Sequence, residues 1–531
     1  MQRWNGWGDP DVIMDIAGPG QKLLIQHLGP GNPRPDAPQA DFFKAMPKSR
    51  LPRHPLISDD PRLRLKHAHG QSLPDWIDLR TGTLQRFPDG VALPTTTGDV
   101  AALLKLAAQH NVVVIPYGGG TSVVGHLTPP DDDRPVLSLS LQGLNRLTDL
   151  NPINRLATFE AGVRGVDLEA QLRTRGFTLG HYPQSFEFST LGGWVATRSS
   201  GQQSAYYGRI EHLFAGGDLV TPTAGIKMPP HPASAAGPDL RQLVLGSEGR
   251  MGILTRAIVR ISPLPAQDII CGLFFPTWEL AQEAVQTIAG NQVRVAMVRL
   301  SNPTETQTNL ALAGHARKVG LLRTFLRLRR IPAQTACMCL IGFIGSKKQV
   351  ATAKQEVLSI CRAYRGVNTG KAMGEAWKIN RFLAPYLRNT LWDSGYAVDT
   401  LETALPWDRV TPTMNRVEAV IRNSLAPWNE KVHVFSHLSH VYPTGSSIYT
   451  TFVWRLAERP DVMAEQWRTI KQAASQVIVK AGGTISHQHG VGLDHRPFLE
   501  AEKGMTGIET LNAMFKYLDP DQRMNPTKLI P

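Results

Sequence analysis

VVVIPYGGGTSVVG, Val112 to Gly125, sets three consecutive glycines directly behind a β-branched run. Val112 to Ile115 reads as a buried strand. The stretch before it, LPTTTGDVAALLKLAAQHN, reads as a helix, with a Thr/Gly/Asp cluster at its start and Val100, Leu103, Leu104 and Leu106 on one face. The order is therefore helix, strand, glycine loop. A Rossmann turn needs GxGxxG running from a strand straight into a helix, and a Walker loop needs GK[ST]; this stretch has neither. What it offers is bare backbone. Successive N–H groups in a glycine turn form a concave nest for anionic oxygens, and the missing Cβ atoms let a pyrophosphate come close. Taken alone, GGG is better explained by a plain turn.

Two further clusters shift that balance. QSFEFSTLGGWVATRSSGQQSAYYGRIEHL, Gln184 to Leu213, groups Ser, Thr and Gly around a short helix-compatible segment, and AGPDLRQLVLGSEGRMGILT, Ala236 to Thr255, follows it. Three such loops within one domain are what an extended phosphate-bearing cofactor needs along its length. Around them, strands are expected at Val136 to Leu141, Leu156 to Phe159 and Ile253 to Ile261, with a helix at Gly165 to Thr174. A second sheet-forming unit is expected from CGLFFP, CMCLIGF and Ser447 to Trp454, with helices at Glu279 to Ala289 and Lys348 to Tyr364. The fold class is α+β. Residues 1–75, rich in Pro and Gly, read as an irregular arm; 76–265 as the cofactor domain; 266–480 as a substrate or cap domain; and 481–531 as a helical closing segment that returns to the cofactor domain.

The chain's 531 residues and net charge of +13 leave nucleic acid, an anionic membrane surface and anionic small molecules as partner classes. The densest basic run, HARKVGLLRTFLRLRR at 315–330, is a basic amphipathic helix, with Val319, Leu322, Phe325 and Leu326 at helical spacing. It reads as a solvated surface helix or as a peripheral contact on the inner face of a membrane; no nucleic-acid motif accompanies it, and nucleic acid is not expected. With no apolar run long enough to span a bilayer and no secretory signal, the expectation is a cytoplasmic protein, and a homodimer stays open. Cys271, Cys337, Cys339 and Cys361 lack zinc-like spacing and read as reduced thiols.

HVFSHLSHVYPTGSSIYTTF and TISHQHGVG gather His433, His437, His440, His487 and His489 with Tyr442 and Tyr449. On a strand, His487 and His489 would share a face and could chelate, yet neither segment carries a carboxylate, and no metal is expected. Acid–base work suits these residues better: a histidine titrates near neutral pH, and a tyrosine beside imidazolium is pushed toward phenolate.

PYGGGTSVVG, STLGGWVATRSSG, GPDLRQLVLGSEGRMGILT and YLDPDQRMNPTKL together resemble the FAD-binding PCMH-type domain of vanillyl-alcohol-oxidase-type flavoproteins. Within that family, RWNGWGDPD, ALPWDRV, SSIYTTF and GGTISHQHGVG make the chain most similar to the alkylglycerone-phosphate synthases, over nearly its whole length. The resemblance implies a two-subdomain FAD unit holding FAD without a covalent bond. Pro116, Gly118, Gly119, Gly120, Thr121 and Ser122 would hold its pyrophosphate with Ser185, Ser189, Thr190, Gly192, Gly193, Thr197 and Ser199, while Glu248, Gly252 and Ile253 would lie along the flavin. His126, the histidine nearest the first loop, is expected to have no role. The resemblance further implies Tyr449 as the acid–base group, with His487 and His489 beside it, and Arg299 as a donor to a substrate phosphate. A lipid substrate follows: the acyl chain of acyl-dihydroxyacetone phosphate is exchanged for a fatty alcohol, with no net redox change. Two departures stand out. His437 occupies a position where animal synthases carry an arginine, and His487-Gln488-His489 replaces a run of three histidines, so one phosphate donor of the family is replaced. The other reading is an FAD oxidoreductase acting on a hydroxy acid or alcohol.

Overall fold

The computed structural model describes residues 2–530, so the first residue of the expected arm and the last of the closing segment lie outside it. The chain is mixed α and β, as expected, and three large sheets carry it, with a two-stranded one beside them. The helix Thr97–Gln109 begins on a capping box in which the Thr96 hydroxyl accepts from Asp99 N, and it buries Val100, Leu103, Leu104 and Ala107. Ala107 takes the core position expected for Leu106. The strand that follows, Val113–Tyr117, lies at the edge of a four-stranded sheet beside Val136–Ser140, which it parallels. A five-stranded antiparallel sheet runs Leu147–Asn151, Leu156–Glu160, Ile253–Arg260, Phe214–Val220, Gly225–Met228.

The third sheet has eight strands. An inner strand, Cys337–Gly345, is buried throughout and pairs with both Gln267–Phe275 and Met297–Ser301, and beyond the latter lie His433–Leu438, Gly445–Arg455 and Tyr396–Pro406. A run buried on both faces reads as continuous apolar sequence, as CMCLIGF does. All four cysteines are free and buried.

The N-terminal stretch corrects the sequence expectation: it is not irregular. Helices occupy Gly18–Leu28, Gln39–Ala45, Pro61–Lys66 and Leu73–Thr81. In three of these a proline falls in the first turn, where an amide has no helical partner in any case, so proline starts the helix and does not break it. Long-range bonds hold the stretch down: Trp7 N donates to Asn389 Oδ1 and Asn389 Nδ2 to Trp7 O, both at 3.0 Å, and buried Arg80 bridges Asp36 (3.0 Å) and Asp393 (2.7 Å). The C-terminal end closes on the opening strand, with Val114 N donating to Arg523 O (2.8 Å) and Asn525 N to Val114 O (2.9 Å).

Candidate active site

The glycine loop opens into a cavity of about 1220 Å³. That exceeds the roughly 300–1,000 Å³ of a single small-molecule pocket, so a cofactor and a second ligand both have room. Every residue expected at the cofactor lines it: Pro116, Gly118 to Ser122, Ser185, Ser189, Thr190, Gly192, Gly193, Thr197, Ser199, Glu248, Gly252 and Ile253. The first two loops touch so closely that only glycine fits between them. A Cβ on Gly119 would stand 1.8 Å from the Phe188 carbonyl oxygen, and one on Gly118 would stand 2.4 Å from Thr190 Oγ1. Thr190 also caps the helix Leu191–Thr197 by accepting from Gly193 N (3.3 Å).

Glu248, in the left-handed region at φ 52°, joins the third loop to the others. Its carboxylate accepts from Gly492 N (2.9 Å) and meets His126 Nε2 (3.0 Å), while His126 Nδ1 bonds Ser122 Oγ (2.6 Å). His126 therefore has a role the sequence did not disclose: it ties the first loop to the third. The wall offers amides and hydroxyls, with Ser200 Oγ buried and unpartnered, and among the described residues no cysteine lines it. Such a neutral donor set suits a pyrophosphate.

On the far wall, the register of the large sheet puts Glu402, Tyr449, His437 and Ser301 opposite one another on four successive strands. Cross-strand neighbours share a face. Tyr449 stacks on His437 (ring centroids 4.9 Å apart) and meets His489 edge-on at 5.9 Å. Arg299, two residues before Ser301 and hence on the same face, pairs with Glu305 (2.8 Å), and Glu305 also takes His437 Nδ1 (2.9 Å). The His437 ring, by hydrogen bonding, and the Arg299 guanidinium, by its charge, hold the Glu305 carboxylate down at about 2 against its burial. Arg299, His437, Tyr449 and His489 line the cavity; His487 sits behind it.

The electrostatics reverse one expectation. Tyr449 is not drawn toward phenolate: burial pushes its hydroxyl up to about 12. Burial likewise lowers His437 and His489 and brings His440 to about 3, so neutral rings surround the phenol and no imidazolium stabilises its anion.

His487 belongs to a buried cluster that depends on residues far away in sequence. The segment carrying it is a loop and not a strand, which removes the alternation argument for shared chelation with His489. Arg209 Nη1 lies 2.7 Å from His487 Nε2, and the Tyr442 hydroxyl lies 2.7 Å from the same nitrogen. A guanidinium only donates, so Nε2 accepts and Nδ1 carries the ring proton, 3.3 Å from Glu402 Oε1. The reason given for expecting no metal also fails, because the strand Tyr396–Pro406 supplies Glu402 beside His440 and His487, with ligand atoms within 4.8 Å. As the hydrogen bonds stand, however, His487 offers this cluster an N–H and not a lone pair. Arg209, Glu402 and Glu305 were all missed in the sequence. Only Glu402 carried a local signal, standing two residues before ALPWDRV.

Buried neutral histidines make the fold sensitive to acid. Burial lowers His67 and His433 to about 4, and His181 and His440 to about 3. Unfolded, each binds a proton below the ordinary 6.5 that its folded form refuses. Stability therefore falls as pH drops from there toward the folded values, by about 1.4 kcal/mol per pH unit for each histidine. Melting temperature should be level above about pH 7 and fall steeply toward about pH 5; a flat profile across that window contradicts the neutral assignment.

Two family profiles match: FAD linked oxidases, C-terminal domain, over residues 264–529, and FAD binding domain, over residues 88–227. The alkyldihydroxyacetonephosphate synthase of Dictyostelium discoideum is 32% identical across 99% of this chain and 85% of its own length. That of Caenorhabditis elegans is 30% identical across 98% and 88%. A glycolate oxidase subunit of Bacillus subtilis is 26% identical across 85% and 90%. A solved alkyldihydroxyacetonephosphate synthase superposes with a TM-score of 0.86 at 28% identity, covering 99% of both chains.

Proposed function

The chain belongs to the FAD-linked oxidases and, within them, to the alkyldihydroxyacetonephosphate synthases, and on that premise we propose that it converts acyl-dihydroxyacetone phosphate and a fatty alcohol into an alkyl ether and a free fatty acid. The observation that carries this reading is one cavity joining two unlike halves. The glycine loops make one wall, and Tyr449, His437 and His489 stand on the other, with an apolar flank of Leu312, Val319, Leu322, Met338 and Met373 suited to alkyl chains.

FAD, when bound, supplies a flavin nitrogen that can exchange an electron pair with a substrate carbon. The loops Pro116 to Ser122 and Ser185 to Ser199 would hold its pyrophosphate through backbone and hydroxyl donors, with no covalent tether needed. The remaining work is proton transfer. Tyr449 enters as a phenol and donates its hydroxyl proton to the departing fatty acid, and the proton released by the alcohol restores it. As the ether bond forms, one proton leaves the alcohol, and neutral His489 is in the right state to take it. Because burial lowers His489, the acid limb of activity should lie below the ordinary histidine value of 6.5.

The test is anaerobic. FAD-loaded protein given palmitoyl-dihydroxyacetone phosphate and hexadecanol should form ether and palmitate in equal amounts with no electron acceptor. Turnover of a hydroxy acid with a dye acceptor, and no ether, points instead to the oxidoreductase reading.

The same reading draws the substrate from a membrane. No helix of the described chain is long and apolar enough to cross one. The helix Ala316–Leu328, however, exposes Leu321 (73%) and Leu328 (77%) among Arg317, Arg323 and Arg327, while its residues Lys318, Val319 and Leu322 line the cavity. An amphipathic basic helix at the entrance suits an anionic lipid surface. Neutralising Arg323, Arg327 and Arg330 to Gln should weaken binding to anionic vesicles by roughly 100-fold, at about 1 kcal/mol per charge, and leave turnover of a short-chain soluble substrate intact. Unchanged vesicle affinity assigns the helix to bulk solvent.

A further inference from the structure

Among the described residues, the lysines and arginines lining the cavity are Arg299, Lys318, Arg381 and Arg388. Their charges are not equally available. Arg299 is matched by Glu305 at 2.8 Å. Arg388 gives Nη1 to the Gln71 carbonyl, and Lys318 stands in solvent at the entrance. Arg388 also keeps Nε and Nη2 buried without a partner, but Arg381, with Nε and Nη1 buried and unpartnered, makes no hydrogen bond to any described residue. The acids nearest it already have cations of their own, Asp268 with Lys378 (2.9 Å) and Glu169 with Arg173 (3.1 Å).

What surrounds Arg381 is aromatic. Its guanidinium carbon lies 4.7 Å from the ring centre of Phe382, 4.8 Å from that of Tyr182 and 5.9 Å from that of Trp377. Rings hold a guanidinium by its face and leave its N–H edge unsatisfied. Burying that edge without an acceptor is costly, and the contacts with rings offset only part of the cost. Phe382 stacks in turn on Phe186 (5.1 Å) in the second glycine cluster, so Arg381 stands where the cofactor loops meet the large sheet. The planar fork matches two oxygens of a phosphate.

We propose that Arg381 anchors the phosphate of the substrate. It supplies the free cationic fork that the paired Arg299 lacks. This rests on the reading above only in taking the substrate to be phosphorylated.

The test is calorimetric titration of the FAD-loaded protein with dihydroxyacetone phosphate, comparing wild type, Arg381→Gln and Arg381→Lys, with dihydroxyacetone as the unphosphorylated control. The expected result is a loss of about 10- to 100-fold in affinity for Arg381→Gln, a smaller loss for Arg381→Lys, and no difference among the three toward dihydroxyacetone. Wild-type affinity in Arg381→Gln overturns the proposal. So does loss of FAD from that variant, which would give the fork to the cofactor's pyrophosphate, and so does an equal loss in both variants with a lowered melting temperature, which would make the role structural. If phosphate binding depends on Arg381 but wild type forms no ether, the anchor stands and the synthase reading falls.

Discussion

Gly119→Ala is expected to yield a colourless protein that takes up no added FAD. The added methyl would lie 1.8 Å from the Phe188 carbonyl oxygen, 2.7 Å from its carbon and 3.0 Å from Ser189 Cα, all backbone atoms with no rotamer to yield. The first and second loops must then part, and the amides that converge on the pyrophosphate part with them. Displacement on the order of 1 Å in such a cradle costs about 100-fold in what it binds. Gly290→Ala is the control, because its Cβ meets nothing within 4 Å, and that protein should stay yellow. Absorbance at the flavin band after gel filtration reads both. A yellow Gly119→Ala protein with wild-type affinity would mean that the glycines are a plain turn.

Tyr449→Phe should retain FAD and lose turnover. The substitution removes one oxygen and keeps the ring that stacks on His437, so the wall of the cavity stays in place. What disappears is a proton donor whose hydroxyl, lifted to about 12, is a phenol at every working pH. A positioned acid–base group contributes about 10²- to 10⁴-fold, and ether formation should fall by that range with the flavin spectrum unchanged. Tyr442→Phe should cost much less, because Tyr442 lies outside the cavity lining and shares His487 with Arg209. If Tyr449→Phe turns over at the wild-type rate, His489 or His437 carries the proton in both directions.

The parts of this protein legible in its sequence are those governed by local physics. The glycine loop announces itself because a side chain there would strike a neighbouring backbone, and Thr96 with Asp99 spells a helix start within four residues. CMCLIGF reads as a strand because both of its faces are buried. Prolines in the first eighty residues misled, because a breaker inside a helix is a starter in its first turn, and composition does not distinguish the two. Leu106 and Ala107 show the same limit at finer scale: periodicity places a face to within a residue.

The site was half legible for a related reason. Tyr449, His437 and His489 stand out by residue type; the register sets Tyr449 beside His437 on one wall of the cavity, and His489 reaches Tyr449 from a loop. Their partners do not stand out. Arg209 reaches His487 across 278 residues of sequence, and Glu402 faces Tyr449 only through strand pairing. The protonation states were misjudged because burial, which is long-range, outweighs the chemistry of adjacent letters. Arg381 was invisible as well: in sequence it is one basic residue among many, and its lack of an acceptor exists only in three dimensions.

The central claim is exchange of one carbon–oxygen bond for another, and an oxygen label tests it most directly. FAD-loaded protein should be incubated without oxygen or acceptor with hexadecanol carrying ¹⁸O and unlabelled palmitoyl-dihydroxyacetone phosphate, and the products read by mass spectrometry. The account predicts ¹⁸O wholly in the ether and none in the released palmitate. Label in the palmitate, or palmitate released with no ether formed, would contradict it.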